Sequence, residues 1–356
     1  MLGHARACGN RTPCAMLPVT PAADAGLEDT PPMWSRRLLL AAAPSLAITR
    51  NAYAAYPDRP IRVIVPFAAG GNTDILARIL TTRMAERLGT PMVVENRAGA
   101  GGSVGAELVA RATPDGYTLL FGAGGPLTAN PVLQARLPYD VERDFRPIGL
   151  VGILPMVCQV TQRLAARNLP DLLALMRARP GLVTVATPGN GSAAHLALEL
   201  FMVNANVRAS HVPYRGGSAM IPDLISGIVE VAMVELPSAL PLHQNNQAPI
   251  IAIATDQRSP LLPNVGTFIE GGLPGFTAGS YGGLLAPSAA PHEVIAALQA
   301  ALAATLAEPA VLTRIAEVGA IPATEAQRSP EGFAAFLRQE LVNARRAADL
   351  AGLRPT

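Results

Sequence analysis

The segment Pro66-Phe67-Ala68-Ala69-Gly70-Gly71-Asn72-Thr73-Asp74 decides how the chain folds. Ile61 to Val65, just before it, is a β-branched run of the length of a buried strand. After it, Ile75, Leu76, Ile79, Leu80, Met84 and Leu88 recur at helical spacing until Gly89, a helix stop. The segment is therefore a strand-to-helix turn. Two glycines leave its backbone open to a ligand, and Asn72 or Thr73 is placed to cap the helix. The free N–H groups of a first helical turn, with the helix dipole, make such a turn attractive to an anion. A turn that needs glycine for geometry alone reads the same way locally, so the rest of the chain decides.

The strand–helix alternation continues outward. Met92–Glu95 reads as a strand, Asn96–Gly102 as a loop and Ser103–Ala112 as a helix. Tyr117–Phe121 is a third strand that exits into Gly122-Ala123-Gly124-Gly125-Pro126. Ligands of open α/β sheets lie beyond the carboxyl ends of strands, so Gly124 and Pro126 share a site with the first turn. Pro147–Val160 is mostly apolar and reads as a crossing into a second domain. There the logic repeats. Strand Val183–Ala186 leads into Thr187-Pro188-Gly189-Asn190-Gly191-Ser192-Ala193-Ala194-His195 and a helix. Val212-Pro213-Tyr214-Arg215-Gly216-Gly217 is a further turn, followed by strand Ile228–Val234 and helix Pro237–Gln247. Ile250–Ala254 is one more strand, Pro274–Ala286 the return crossing, and the tail holds helices from Pro291, Pro309 and Pro330. The alternation implies an α/β protein with mostly parallel strands.

Composition narrows the function. Half of the 356 residues are hydrophobic, ample for a core, yet no apolar run in the body reaches the roughly 18 residues of a membrane span. Upstream, Met33-Trp34-Ser35-Arg36-Arg37 precedes the apolar Leu38–Ile48 and the cleavage-like Ala52-Tyr53-Ala54. This is the order of a signal peptide, and the Arg pair is compatible with twin-arginine export. Residues 1–32 read as an upstream extension, with translation starting at Met33. Loss of residues 1–54 removes Arg6, Arg11, Arg36, Arg37 and Arg50 with Asp24, Glu28 and Asp29, leaving basic and acidic residues equal in number. A neutral body argues against nucleic acid or an anionic membrane as partner. Cys158 alone then remains, a buried thiol in an apolar run.

These motifs, in this order, resemble the solute-binding proteins of tripartite tricarboxylate transporters, the Bug (TctC-like) family. The resemblance spans Tyr56 to Leu353. It is carried by residues 57–74, 93–102, 114–120 and 189–196, with V-P-Y-R-G (212–216) and L-P-S-A-L (236–240). It implies a periplasmic binding protein-like fold of type II: two α/β domains with a ligand cleft at the hinge. Residues 55–153 plus 277–356 form one domain and 154–276 the other. It also implies that backbone amides of the two turns hold a carboxylate. Three departures stand out. Ala69 replaces a frequent Pro, Val234-Glu235 replaces an acidic or amide pair, and Tyr281 stands where Trp is common.

The candidate ligand contacts follow. Gly70, Gly71 and Thr73 are the leading donors, with Phe67 and Ala69 in the same loop. Asp74 either steadies the first helical turn or meets a ligand ammonium, and first-turn preference favours the structural role. Gly189, Asn190, Gly191 and Ser192 form the second turn, Ser192 as cap, donor or both. His195 is a hydrogen-bonded wall residue; with Glu199 it lacks a third metal ligand, so no metal or cofactor is expected. Tyr214, Glu235 and Arg215 line the rim, Arg215 either pairing a second carboxylate or standing in solvent. Tyr281 is a cleft aromatic or a packed hinge residue.

The function expected is a monomeric periplasmic binding protein that passes a small organic anion to membrane permease subunits. A ligand sensor acting with a signalling receptor has the same sequence requirements. An α/β hydrolase using Ser192 fits poorly, because the sequence is not the G-x-S-x-G elbow.

Overall fold

The computed structural model of the protein describes residues 56–355. The upstream extension and signal peptide read from the sequence lie outside the described residues. The chain first lays down β1 (Ile61–Val65), α1 (Asn72–Leu88), β2 (Met92–Asn96), α2 (Ser103–Ala110) and β3 (Thr118–Ala123). A π-type turn and the short helices α3 (Asn130–Leu133) and α4 (Val141–Asp144) follow. β4 (Phe145–Val160) is one 16-residue strand that carries the chain into a second half. That half holds α5 (Leu169–Ala178), β5 (Thr184–Thr187), α6 (Ala193–Ala205), β6 (Ser210–Pro213), α7 (Ile221–Ser226), β7 (Val231–Glu235), α8 (Leu236–Gln244) and β8 (Ile250–Ile253). β9 (Gly279–Pro287) returns to the first half, completed by α9 (His292–Leu306), α10 (Pro309–Glu317), β10 (Ile321–Pro322) and α11 (Pro330–Leu350).

The strands run in the order β2-β1-β3-β9-β4-β7-β5-β6, with β8 and β10 also paired to β4. The outer strands are parallel in each half: β1 with β2 and β3, β5 with β6 and β7. The centre departs from the mostly parallel expectation. β9 is antiparallel to β3 and β4, and β7 is antiparallel to β4. The reason is the route: β4 leaves the first half and β9 comes back, so the two passages run in opposite directions and need no crossover helix between them.

β4 serves both halves. Phe145–Pro155 pairs with β9, and Met156–Val160 pairs with β7 and β8. Its side chains also feed a core in each half. Ile148, Val151 and Leu154 join Val63, Leu76, Leu80, Phe121 and Leu298 in the first half. Met156, Cys158 and Val160 join Leu172, Phe201, Phe268 and Phe276 in the second. A strand buried on both faces reads as a continuous apolar run, and Pro147–Val160 does. Among the described residues no single helix is long and apolar enough to cross a membrane.

Candidate functional site

β1 and β5 lie in different halves, and each feeds a glycine turn and then a helix: α1 from β1, α6 from β5. The β2–α2 loop of the first half meets the second turn. A Cβ built on Gly101, whose φ is +61°, would collide with the Asn190 carbonyl oxygen, so only glycine fits there. The Ser218 hydroxyl donates to the Ala69 carbonyl at 2.8 Å, a second tie between the halves.

The first turn is held from within. Gly70 takes φ +74°, whereas Gly71 is extended at φ −80°, ψ 170° and is itself the N-cap. Neither Asn72 nor Thr73 caps α1, contrary to the sequence expectation; no side chain does. The Asp74 carboxylate is 3 % exposed and accepts from Gly70 N–H, Arg78 Nε and Asn96 Nδ2, each at 2.9 Å. Burial pushes its carboxyl up, but the bonds from Arg78, Gly70 and Asn96 together outweigh that and hold it below its ordinary value. Asp74 thus shapes its own loop, and the Gly70 N–H is engaged by it. The amides that keep no acceptor among the described residues are those of Asn72, Thr73 and Asp74. The Thr73 hydroxyl beside them likewise makes no hydrogen bond to a described residue. Asn96 Nδ2 also donates to the Phe67 carbonyl, and the Phe67 ring edge lies against Gly125.

The second turn is satisfied differently. Ser192 Oγ accepts from the His195 N–H at 3.1 Å and caps α6. Gly191 N–H donates to His195 Nδ1 at 3.2 Å, so the ring proton sits on Nε2, 3.6 Å from Glu199. Gly189 N–H reaches Thr187 Oγ1 at 3.3 Å. The His195 ring stacks on His211 with centroids 4.6 Å apart. Burial, then the neighbouring His195, pulls His211 down to about 4, so it is neutral near pH 7. Asn190 is exposed at the tip.

The remaining candidates fall into place around these turns. Gly124 donates to Ser280 Oγ at 3.1 Å, and the Pro126 carbonyl accepts from the Tyr139 hydroxyl at 2.7 Å. Tyr281 is 1 % exposed and packs on Phe333 and Phe336 beneath Gly124, a packed residue rather than an open cleft wall. Tyr214 gives its hydroxyl to Asp223 at 2.5 Å. Arg215 is exposed and has no ion-pair partner among the described residues. Glu235 is 4 % exposed and accepts from Asn72 Nδ2. Among the described residues no three His, Cys, Asp or Glu gather in a way that would hold a metal ion.

Four residues at the meeting of the halves are missed by the sequence reading: Asn72 as a bridge, Gly101, Asn130 and Ser238. Gly101 and Ser238 lie inside segments that carry the family resemblance, the only signal available. Asn130 is fully buried and binds Ala100, Gly101 and Ser103 next to Gly191, a wedge that no local pattern announces.

A cavity of 1310 Å³ lies between α6, α11 and the segment after β8. Its polar lining includes the carboxylates of Asp256, Glu317 and Glu340, and its one arginine, Arg258, is paired with Glu270. That is the wrong sign for an anion, so the glycine turns are the better candidate.

A mixed sheet joining two α/β halves, each with a glycine turn leading from a strand into a helix, is the fold of a periplasmic binding protein. The family model for TctC, the tripartite tricarboxylate transporter family receptor, matches residues 76–342, and the chain belongs to this family. Protein BugT of Bordetella pertussis is 36% identical over 281 residues, 79% of this chain and 86% of that one. A Rhodopseudomonas palustris protein solved with adipate superposes with a TM-score of 0.81 at 31% identity, covering 85% of this chain and 100% of its own. MatC of the same organism, solved with malate, gives 0.79 at 32% identity over 82% of this chain and 99% of its own. The family and these neighbours are binding proteins, not enzymes.

Proposed function

We propose that the protein captures a small organic carboxylate between its two helix N-termini and delivers it to the permease of a tripartite tricarboxylate-type transporter. The observation that carries this reading is the first turn of α1, where three amides and the Thr73 hydroxyl have no partner among the described residues. Such a cluster offers directed donors and the positive end of a helix dipole to one carboxylate. Ala193 and Ala194 at the start of α6 add two more amides without acceptors among the described residues. The domains are residues 55–153 with 277–356, and 154–276, acting in the periplasm after removal of residues 33–54. The adipate and malate of the solved relatives make linear dicarboxylates the first class to try. Family membership supports the permease as recipient. A thermal-shift screen of dicarboxylates, tricarboxylates, amino acids and aromatic acids tests the reading. Stabilisation by one acid class is expected; shifts only from sugars or cations would overturn it.

A further inference from the structure

Asn72 is the first residue of α1, yet its side chain neither caps the helix nor faces solvent. Its amide nitrogen donates to Glu235 Oε2 at the end of β7, and its amide oxygen accepts from Ser238 Oγ on α8. All three residues are buried, at 7 %, 4 % and 7 % exposure. The chain of bonds therefore runs from one half to the other without passing through solvent. A second observation supports a built feature. Gly217, whose φ is not positive, leaves room for it: a Cβ there would lie 3.1 Å from Asn72 Oδ1, 3.1 Å from Ser238 Oγ and 3.3 Å from Val234. A side chain at 217 would crowd the clasp by a few tenths of an ångström, so space rather than angle favours glycine there. The neighbouring Ser218–Ala69 bond ties the same two segments together.

We infer that Asn72, Glu235 and Ser238 form an interlobe clasp, in which Glu235 is a positioning residue that holds the first turn of α1 against the second half. The clasp rests on the proposed binding reading only for its purpose, since its parts are the protein's own side chains. It fixes Asn72, and through Asn72 the neighbouring Thr73 hydroxyl and amides, in the orientation a ligand meets. It also adds to the free energy of closure, which a ligand can drive only through contacts better made in the closed state.

The Glu235 carboxyl accepts from Asn72 of α1, which Ser238 of α8 holds in turn, and no charged group acts on it. Burial therefore pushes its carboxyl from the ordinary 4.5 up to about 7. In an open cleft the group regains water and its ordinary value. Closure thus binds a proton between about 4.5 and about 7, and it weakens as pH rises through that window. The open-to-closed ratio should grow by up to about tenfold per pH unit there and then level off.

The test measures the distance between spin labels on Thr82→Cys of α1 and Asn204→Cys of α6, both exposed, in the full chain with Cys8→Ser and Cys14→Ser. Cys158 does not interfere, because burial pushes its thiol up to about 12. No ligand is added at first. Wild type should show a short distance that gives way to a longer one as pH rises from about 4.5 to about 7. Ser238→Ala should raise the open fraction about fivefold, the loss of one hydrogen bond. Gly217→Ala should open the cleft by crowding the clasp, with circular dichroism confirming the fold. Glu235→Gln still accepts from Asn72, so it should retain the short distance and lose the pH response. Identical distances in wild type, Ser238→Ala and Gly217→Ala, or an unchanged pH profile in Glu235→Gln, would overturn the clasp. Malate and adipate are then added. If neither acts while the clasp variants behave as stated, the clasp stands and the dicarboxylate reading falls.

Discussion

The two glycine turns look alike in sequence and use their donors differently. At α6, Ser192 caps the helix, His195 takes the Gly191 amide and Thr187 takes the Gly189 amide, and the Ala193 and Ala194 amides have no acceptor among the described residues. At α1 the carboxylate that stabilises the turn, Asp74, bonds backwards to Gly70, Asn96 and Arg78, and the first-turn amides are left without a cap. A helix end without partners is expensive unless something else satisfies it. In the proposed function, the α1 turn is therefore the anchor for the ligand, and the α6 turn the stiffer wall.

The comparison breaks first at Gly101, where the β2–α2 loop meets the second turn. Gly101→Val puts a branched side chain into the Asn190 carbonyl at a left-handed backbone position. Ligand affinity should fall by more than about a hundredfold, a loss of roughly 3 kcal/mol in line with strain plus a blocked contact. Calorimetric titration checks this, with circular dichroism to confirm the fold.

Asp74→Ala attacks the scaffold of the anchor. It removes three bonds to a charged, buried group and should cost about 2–3 kcal/mol of stability by urea unfolding. The acid response should change as well. The folded carboxyl lies below its ordinary value, so its stabilisation is complete above that value and is lost as pH falls through the folded one. The variant should lose this part of the acid transition.

Thr73→Val and Ser192→Ala sharpen the contrast between the turns. Thr73→Val keeps the shape and deletes a donor at the anchor, so affinity should drop about tenfold while unfolding stays nearly unchanged. Ser192→Ala deletes a cap on the wall, so stability should drop by about 1 kcal/mol while affinity moves less. Equal effects of the two on binding would erase the distinction.

A separate contrast is in pH. His211, on the wall, is held at about 4 against an ordinary 6.5. The unfolded chain takes up a proton at the ordinary value and the folded chain does not, so stability should decline as pH falls from about 6.5 towards about 4. Glu235 slopes the other way over a similar window. His211→Gln and Glu235→Gln, measured separately by urea unfolding from pH 4 to 7.5, should each remove one slope.

Much of this architecture is legible in the sequence because the signals are local. Glycine after a β-branched run, Asn168 and Ser192 ahead of apolar periodicity, and Gly89 after it mark strand exits and helix ends. The antiparallel centre is less so: the apolar run around β4 gives a buried strand but not its partners, which depend on the route of the chain. The fate of Asn72 could not be read at all. As a cap it satisfies local preference, but Glu235 and Ser238 arrive from more than 160 positions away and offer buried partners instead. Tyr281 shows the same limit, since only packing on Phe333 and Phe336 separates a cleft aromatic from a buried one.

The measurement that bears most directly on the anchor is a thermal-shift titration of wild type and Thr73→Val with linear four- to six-carbon dicarboxylates. Free ligand at about 100 times its dissociation constant should stabilise wild type by about 2.7 kcal/mol. The Thr73→Val protein should need about tenfold more ligand for the same shift. A flat response of wild type to every dicarboxylate, or identical titrations of the two proteins, would contradict the account.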